Sequence, residues 1–158
     1  VESMEIIKLE ESNNLFFDKI CDWYYNWLGI KNNESIEEIK CTFEHSLCKN
    51  KLPQTFVALI DGEPAGMYQL SMSDDLNSRP DLYPWLINVY VDEKFRGRNV
   101  ARELMNTVKE NAKKLGLTEL YLYTKHIGLY EKFGWKFIEE VKTFKDDSPV
   151  ERLYKLEI

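Results

Sequence analysis

The chain has 158 residues, 44% of them hydrophobic, enough to build one globular domain around a continuous core. Its 27 acidic groups outnumber 21 basic ones for a formal charge of −6, which argues against a general nucleic-acid binder, whose affinity rests on excess Lys and Arg facing phosphates. No apolar run approaches a membrane span and the N-terminus lacks a basic region followed by an apolar core, so a cytoplasmic protein without membrane or nucleic-acid partners is expected.

Val1, Glu2 and Ser3 precede Met4 and read as a foreign remnant, so the domain is taken as residues 4–158. Glu5 to Leu9 is apolar enough for a first strand, and Ser12, Asn13 and Asn14 offer caps for the helix after it. There Phe16, Ile20, Trp23, Tyr24 and Trp27 recur at steps of three and four, and Gly29 closes the run. Ser35 and Glu38 have capping-box spacing ahead of the stripe Ile36, Ile39, Phe43 and Leu47. Thr55 to Ile60 and Ala65 to Met72 read as a hairpin around the turn Asp61 to Pro64. A polar loop from Ser73 to Asp81 leads past Pro84 into Trp85 to Val91, an apolar run suited to the middle of a sheet.

A third helix carries Ala101, Leu104, Met105, Val108, Ala112 and Leu115 on one face and stops at Gly116. Leu120 to Tyr123 is the next strand, and His126 to Phe133 reads as a short helix. Lys136 to Phe144 and Val150 to Ile158 form a closing hairpin around Asp146 to Pro149. Cys21, Cys41 and Cys48 fall in helical segments without paired spacing and read as buried thiols of a reducing compartment. His45 and His126 have no partner at metal-ligand spacing, so no metal is expected.

The chemistry concentrates at Arg96-Gly97-Arg98-Asn99-Val100-Ala101. A helix that starts directly after a buried strand presents unpaired N–H groups and the positive end of its dipole, a setting that stabilises an anion. Arg96, Arg98 and Arg102 add charge there, Gly97 permits the turn, and Ala101 leaves room beside the helix. A dinucleotide fingerprint needs three glycines and a Walker loop needs Gly-Lys before Ser or Thr; neither is present.

These segments resemble the GNAT superfamily of N-acetyltransferases, whose acetyl-CoA motif runs Arg or Gln, two variable residues, Gly, one variable residue, then Gly or Ala. Arg96 and Ala101 match its ends, and Val89-Tyr90-Val91 is similar to the strand before it. Leu129-Tyr130-Glu131-Lys132-Phe133-Gly134-Trp135 resembles the family's tyrosine helix and following turn. The family's central glycine is Asn99 here, which adds bulk where a pyrophosphate approaches, while its amide can donate to a phosphate. The resemblance implies a single α/β (α+β) domain of the acyl-CoA N-acyltransferase fold, with a mixed, mostly antiparallel sheet of about seven strands splayed at the centre and about four helices. It implies that backbone amides of Gly97, Arg98, Asn99, Val100, Ala101 and Arg102 hold the CoA pyrophosphate beside Arg96. It further implies that Val89, Tyr90 and Val91 hold the pantetheine arm and acetyl carbonyl, with Thr124 near where CoA emerges.

Acetyl transfer to an amine needs a neutral amine, a stabilised oxyanion and a proton for the departing thiolate. With a lysine-like pKa of about 10.4, roughly one amine in a few thousand is neutral at pH 7. The resemblance makes Tyr130 the proton donor and the Val91 N–H the oxyanion donor. The strand position where some relatives carry an acid is Trp85, which cannot accept a proton, leaving Asp75, Asp81 or waters near Asn88 as candidate bases. Tyr24 and Trp27 are candidate walls for a cationic acceptor, with Asp81 and Asn88 as further substrate contacts. The expected activity is acetyl transfer from acetyl-CoA to a primary amine of a small cationic molecule, by a monomer or homodimer; a peptide or protein amine stays open as acceptor. The alternative is a non-catalytic acyl-CoA-binding sensor or regulatory module.

Overall fold

The computed structural model describes residues 3–74, 78–143 and 149–158. Within them the chain folds into seven strands, β1 (Met4–Leu9), β2 (Gln54–Ile60), β3 (Glu63–Ser71), β4 (Trp85–Val91), β5 (Glu119–Thr124), β6 (Lys136–Val141) and β7 (Glu151–Glu157). Three α-helices accompany them, α1 (Phe17–Tyr24), α2 (Ile36–Glu44) and α3 (Val100–Lys114). The strands lie in one sheet ordered β1-β2-β3-β4-β5-β7-β6. Every neighbouring pair is antiparallel except β4 and β5, which run parallel and meet only at Trp85 and Tyr121. Beyond that point the two strands part, so the sheet is splayed at its centre.

One face of the sheet packs on α3, through Leu104, Val108 and Ala112 against Phe56, Ala58, Leu70, Leu86 and Leu120. The other face packs on α1 and α2, through Ile20, Trp23, Ile39 and Phe43 against Val57, Leu59 and Met67. Close approach of α3 depends on Gly66, where a Cβ would lie 2.8 Å from the Tyr90 carbonyl and 3.0 Å from Val100. Any larger residue would push the helix away.

Local signals account for most boundaries. Asn14 Oδ1 accepts the Phe16 N–H at 2.8 Å ahead of α1. Ser35 Oγ accepts the Glu38 N–H at 3.1 Å, the first half of the expected capping box, while the Glu38 carboxylate accepts from the Ser35 hydroxyl. Beyond Tyr24, α1 widens into a π-helical segment, Tyr25–Gly29, in which the Ile30 N–H reaches back to the Tyr25 carbonyl.

Four expectations need correction or limits. The helix expected over 126–133 is only a 3-10 turn, Tyr130–Phe133, because Gly128 takes φ +87° and interrupts helical geometry before Leu129. The chain accordingly has three α-helices instead of about four among the described residues. Of the cysteines only Cys21 is buried; Cys41 sits on the exposed side of α2 and Cys48 is half-buried. Asp75, Phe144 and the turn residues Asp146, Asp147 and Ser148 lie outside the described residues. No described helix is long and apolar enough to cross a membrane, and no described group of His, Cys, Asp and Glu could hold a metal.

Candidate active site

Backbone geometry shapes the start of α3, where the anion site is expected. Gly97 has φ +81°, and Asn99 sits in the left-handed region with φ 64° and ψ 20°. Asparagine tolerates that region better than other side chains apart from glycine, because its short polar group compensates locally. Asn99 therefore holds a left-handed backbone conformation that glycine also adopts readily. The first carbonyl used inside α3 is that of Asn99, which accepts from Glu103, so the N–H groups of Val100, Ala101 and Arg102 have no helical partner.

A cleft of about 660 Å³ lies between the first turns of α3 and the tyrosine turn, lined by Asn99, Ala101, Arg102, Met105, Asn106, Lys109, Leu129, Lys132 and Phe133. Among the described residues three cations and no acid line it, on a chain whose overall charge is −6. Lys109 and Lys132 carried no signal of their own in the sequence; only folding brings them beside Arg102. Arg96 lies apart from that lining, its Nε donating to the Val91 carbonyl at 3.1 Å and its guanidinium 5.8 Å from the Tyr90 ring. The Arg98 guanidinium stands 5.4 Å from the Phe95 ring.

The open edge of β4 supplies the second part of the site. Between the pairs Met67 with Tyr90 and Gln69 with Ile87 the register slips, and Asn88 takes φ +52°. The bulge reverses the alternation, so Val89 and Val91 pack with the α3 layer while Tyr90 turns to the α1 layer. The Asp92 N–H bonds the Ala65 carbonyl. Because backbone groups alternate along a strand, those of Tyr90 also face β3, and those of Val89 and Val91 face the gap towards β5.

Tyr130 is 8% exposed and packs against Trp135 and Tyr154 at ring separations of 6.1 and 6.2 Å. Its hydroxyl has no hydrogen-bond partner among the described residues, and burial pushes the phenol up to about 12. Leu129, Lys132 and Phe133, on either side of it, line the cleft. Thr124, at the end of β5, accepts the His126 N–H on its hydroxyl at 3.1 Å and so shapes the turn that leads there.

On the opposite face, Trp23 and Trp27 both meet the Tyr90 ring, at 5.6 and 5.2 Å. Trp23 is core, 5% exposed, and donates its indole N–H to Asp92 at 2.9 Å. Burial opposes the Asp92 charge, yet the Lys94 backbone N–H, the Trp23 indole and the nearby Lys19 and Lys94 outweigh it and hold the carboxyl below the usual range. Trp27 and Tyr24 are half-buried, and the Tyr24 hydroxyl donates to Glu34 at 3.2 Å.

Asp81 is occupied elsewhere: Arg79 Nε and Nη2 each lie 3.2 Å from its carboxylate, and Arg79 also reaches Glu139 at 2.6 Å. Those hydrogen bonds hold the Asp81 carboxyl below its ordinary range, which unsuits it as a base. Trp85 is buried, its indole donating to the Leu82 carbonyl at 2.8 Å. Thr55 and Gln69, two polar residues inside β2 and β3, had drawn no functional reading in sequence; the fold joins them to Asn88.

The chain matches the Acetyltransferase (GNAT) family over residues 16–135 and belongs to it, an acetyl-CoA-dependent N-acetyltransferase by class. Its fold is that of a putative acetyltransferase from Acinetobacter baylyi ADP1, with a TM-score of 0.75 at 15% identity, covering 100% of this chain and 94% of that one. A GNAT family acetyltransferase from Elizabethkingia anophelis with acetyl-CoA bound aligns with a TM-score of 0.66 at 19% identity, covering 98% of each chain. The ribosomal-protein-S18-alanine N-acetyltransferase from Escherichia coli aligns with a TM-score of 0.66 at 15% identity, covering 99% of this chain and 94% of that one. No curated protein matches the chain.

Proposed function

We propose that this protein transfers an acetyl group from acetyl-CoA to a primary amine of a small cationic molecule in the cytoplasm, by direct attack on the thioester. The observation that carries the reading is the convergence of three features. They are the unpaired amides opening α3, a cleft lined by Arg102, Lys109 and Lys132, and the buried Tyr130 turn at its wall. That cleft fits a polyanionic cofactor, because both its backbone donors and its charged side chains are positive.

Bound there, acetyl-CoA supplies an activated acetyl group; the protein's part is positioning and proton control. Val100, Ala101 and Arg102 hold the phosphates, and the backbone groups of Val89 and Val91 on the open edge of β4 orient the acyl arm. The Val91 N–H is the donor available where oxyanion charge develops. Burial keeps the Tyr130 phenol protonated at neutral pH and it has no hydrogen-bond acceptor among the described residues, so its proton is available to a leaving thiolate held against it; because burial also weakens it as an acid, that transfer depends on positioning. The cationic acceptor is supported by the half-buried Trp27 on the other side of β4. The Escherichia coli ribosomal-protein-S18-alanine N-acetyltransferase shares the fold, so the amine panel includes a peptide with an N-terminal alanine.

Calorimetry with acetyl-CoA, followed by an amine panel monitored for free thiol, tests the proposal. Micromolar binding with thiol release from at least one amine is expected. Binding with no thiol release from any amine would instead favour an acyl-CoA sensor, the reading that the buried Trp85 at the strand's start supports.

A further inference from the structure

The polar side chains inside the sheet form a hydrogen-bonded chain with only one possible direction. The Ser46 carbonyl can only accept, so Thr55 Oγ1, 2.8 Å away, donates its single proton to it. Thr55 Oγ1 must then accept from Gln69 Nε2 at 3.0 Å. That orientation turns Gln69 Oε1 towards Asn88, where it accepts from Nδ2 at 2.7 Å. The amide orientation of Asn88 is therefore dictated by a backbone carbonyl three links away.

Thr55 and Gln69 are 0% and 2% exposed; flipping the Gln69 amide alone would set its NH₂ against the Asn88 NH₂ and its oxygen against the Thr55 oxygen, and reversing the whole chain would leave the Thr55 oxygen against the Ser46 carbonyl, acceptor against acceptor. Asn88 itself is half-buried and occupies the bulge of β4, directly before the open-edge residues Val89 to Val91. Its Oδ1 has no partner among the described residues.

Building on the acetyl-transfer reading above, we infer that Asn88 Oδ1 receives one N–H of the attacking amine, and that Thr55 and Gln69 are positioning residues that keep that oxygen, and not the NH₂ group, facing the substrate. A neutral amine attacks along its lone pair, and fixing one N–H fixes the direction of that pair. With the amide reversed, the Asn88 NH₂ would donate to the lone pair and withdraw it from the acyl carbon. The neutral amide takes no proton; it aims the nucleophile.

The test compares Thr55→Val, which matches the shape but cannot donate, with Thr55→Ser, which keeps the hydroxyl. Thr55→Val is expected to have an amine kcat/KM at least tenfold below that of Thr55→Ser, with the KM for acetyl-CoA equal in the two. In an Asn88→Ala background the same Thr55→Val change is expected to cost less than twofold, because the residue it acts through is gone. If Thr55→Val fails to fold, Gln69→Met carries the same comparison with and without Asn88→Ala. Equal amine kcat/KM for the Val and Ser variants, or losses that multiply in the double variant, would overturn the inference while leaving acetyl transfer intact. A wild-type protein that acetylates no amine in the panel would overturn the proposed function and this inference with it.

Discussion

The Tyr130 phenol loses its water on folding and gains no hydrogen bond among the described residues, which is why its proton is held to about 12. Tyr130→Phe is expected to lower kcat at least tenfold while acetyl-CoA affinity, measured by calorimetry, stays within twofold. The same held proton fixes the pH profile. Amine kcat/KM should rise as the acceptor deprotonates and show no falling limb below about pH 10; a fall between about pH 8 and about pH 9 would point to a different acid. Asn99 was readable in sequence as a departure from the family's glycine, but its left-handed φ was not. Asn99→Val, β-branched where φ is 64°, is expected to cost about 1–2 kcal/mol and lower Tm by about 2–8 °C in calorimetry. The pairing of Asp81 with Arg79 had no sequence signal that separated it from a free acid, since two residues apart in a loop is compatible with either.

Among the elements, strands and amphipathic helices were legible because their periods follow directly from which side meets the core; α3 starts at Val100, one residue before the first position of its predicted stripe. The π-helical segment at Tyr25–Gly29 was not legible, because Trp23 and Trp27 keep helical spacing whichever hydrogen-bond pattern follows. The expected helix over 126–133 shrinks to a 3-10 turn because Gly128, with φ +87°, breaks the helical path, and a lone glycine inside a short segment is a weak stop signal in sequence. Trp27→Ala removes the half-buried wall without touching the α3 cleft. It is expected to raise the amine KM severalfold and leave the acetyl-CoA KM unchanged in steady-state kinetics. Gly66→Ala should press on the Tyr90 carbonyl 2.8 Å away and on α3, destabilising the protein by about 1–3 kcal/mol in urea unfolding.

For the molecule as a whole, the acidic balance read from the sequence and the cationic cleft seen in the fold belong to different length scales. The −6 charge is spread over the chain, whereas Arg102, Lys109 and Lys132 meet at one cleft. Acetyl-CoA affinity should therefore weaken as salt rises, despite the net repulsion expected from the total charge. Burial raises Cys21 and Tyr68, as well as Tyr130, to about 12. Each is raised above its unfolded value, so its contribution is fully present below about pH 9 for the thiol and about pH 10 for the phenols. That stability is lost as pH climbs through about 12.

The sheet's division at Trp85 and Tyr121 carries a consequence for solvent access. Strands at the middle of a sheet usually have the slowest-exchanging amides in a protein, but the N–H groups of Val89 and Val91 face a seam, not a neighbour. In deuterated buffer they should exchange as quickly as those of an outermost strand, while Tyr90, bonded towards β3, stays slow. Acetyl-CoA that occupies the seam should close it like a missing strand and, within β4, protect those two amides.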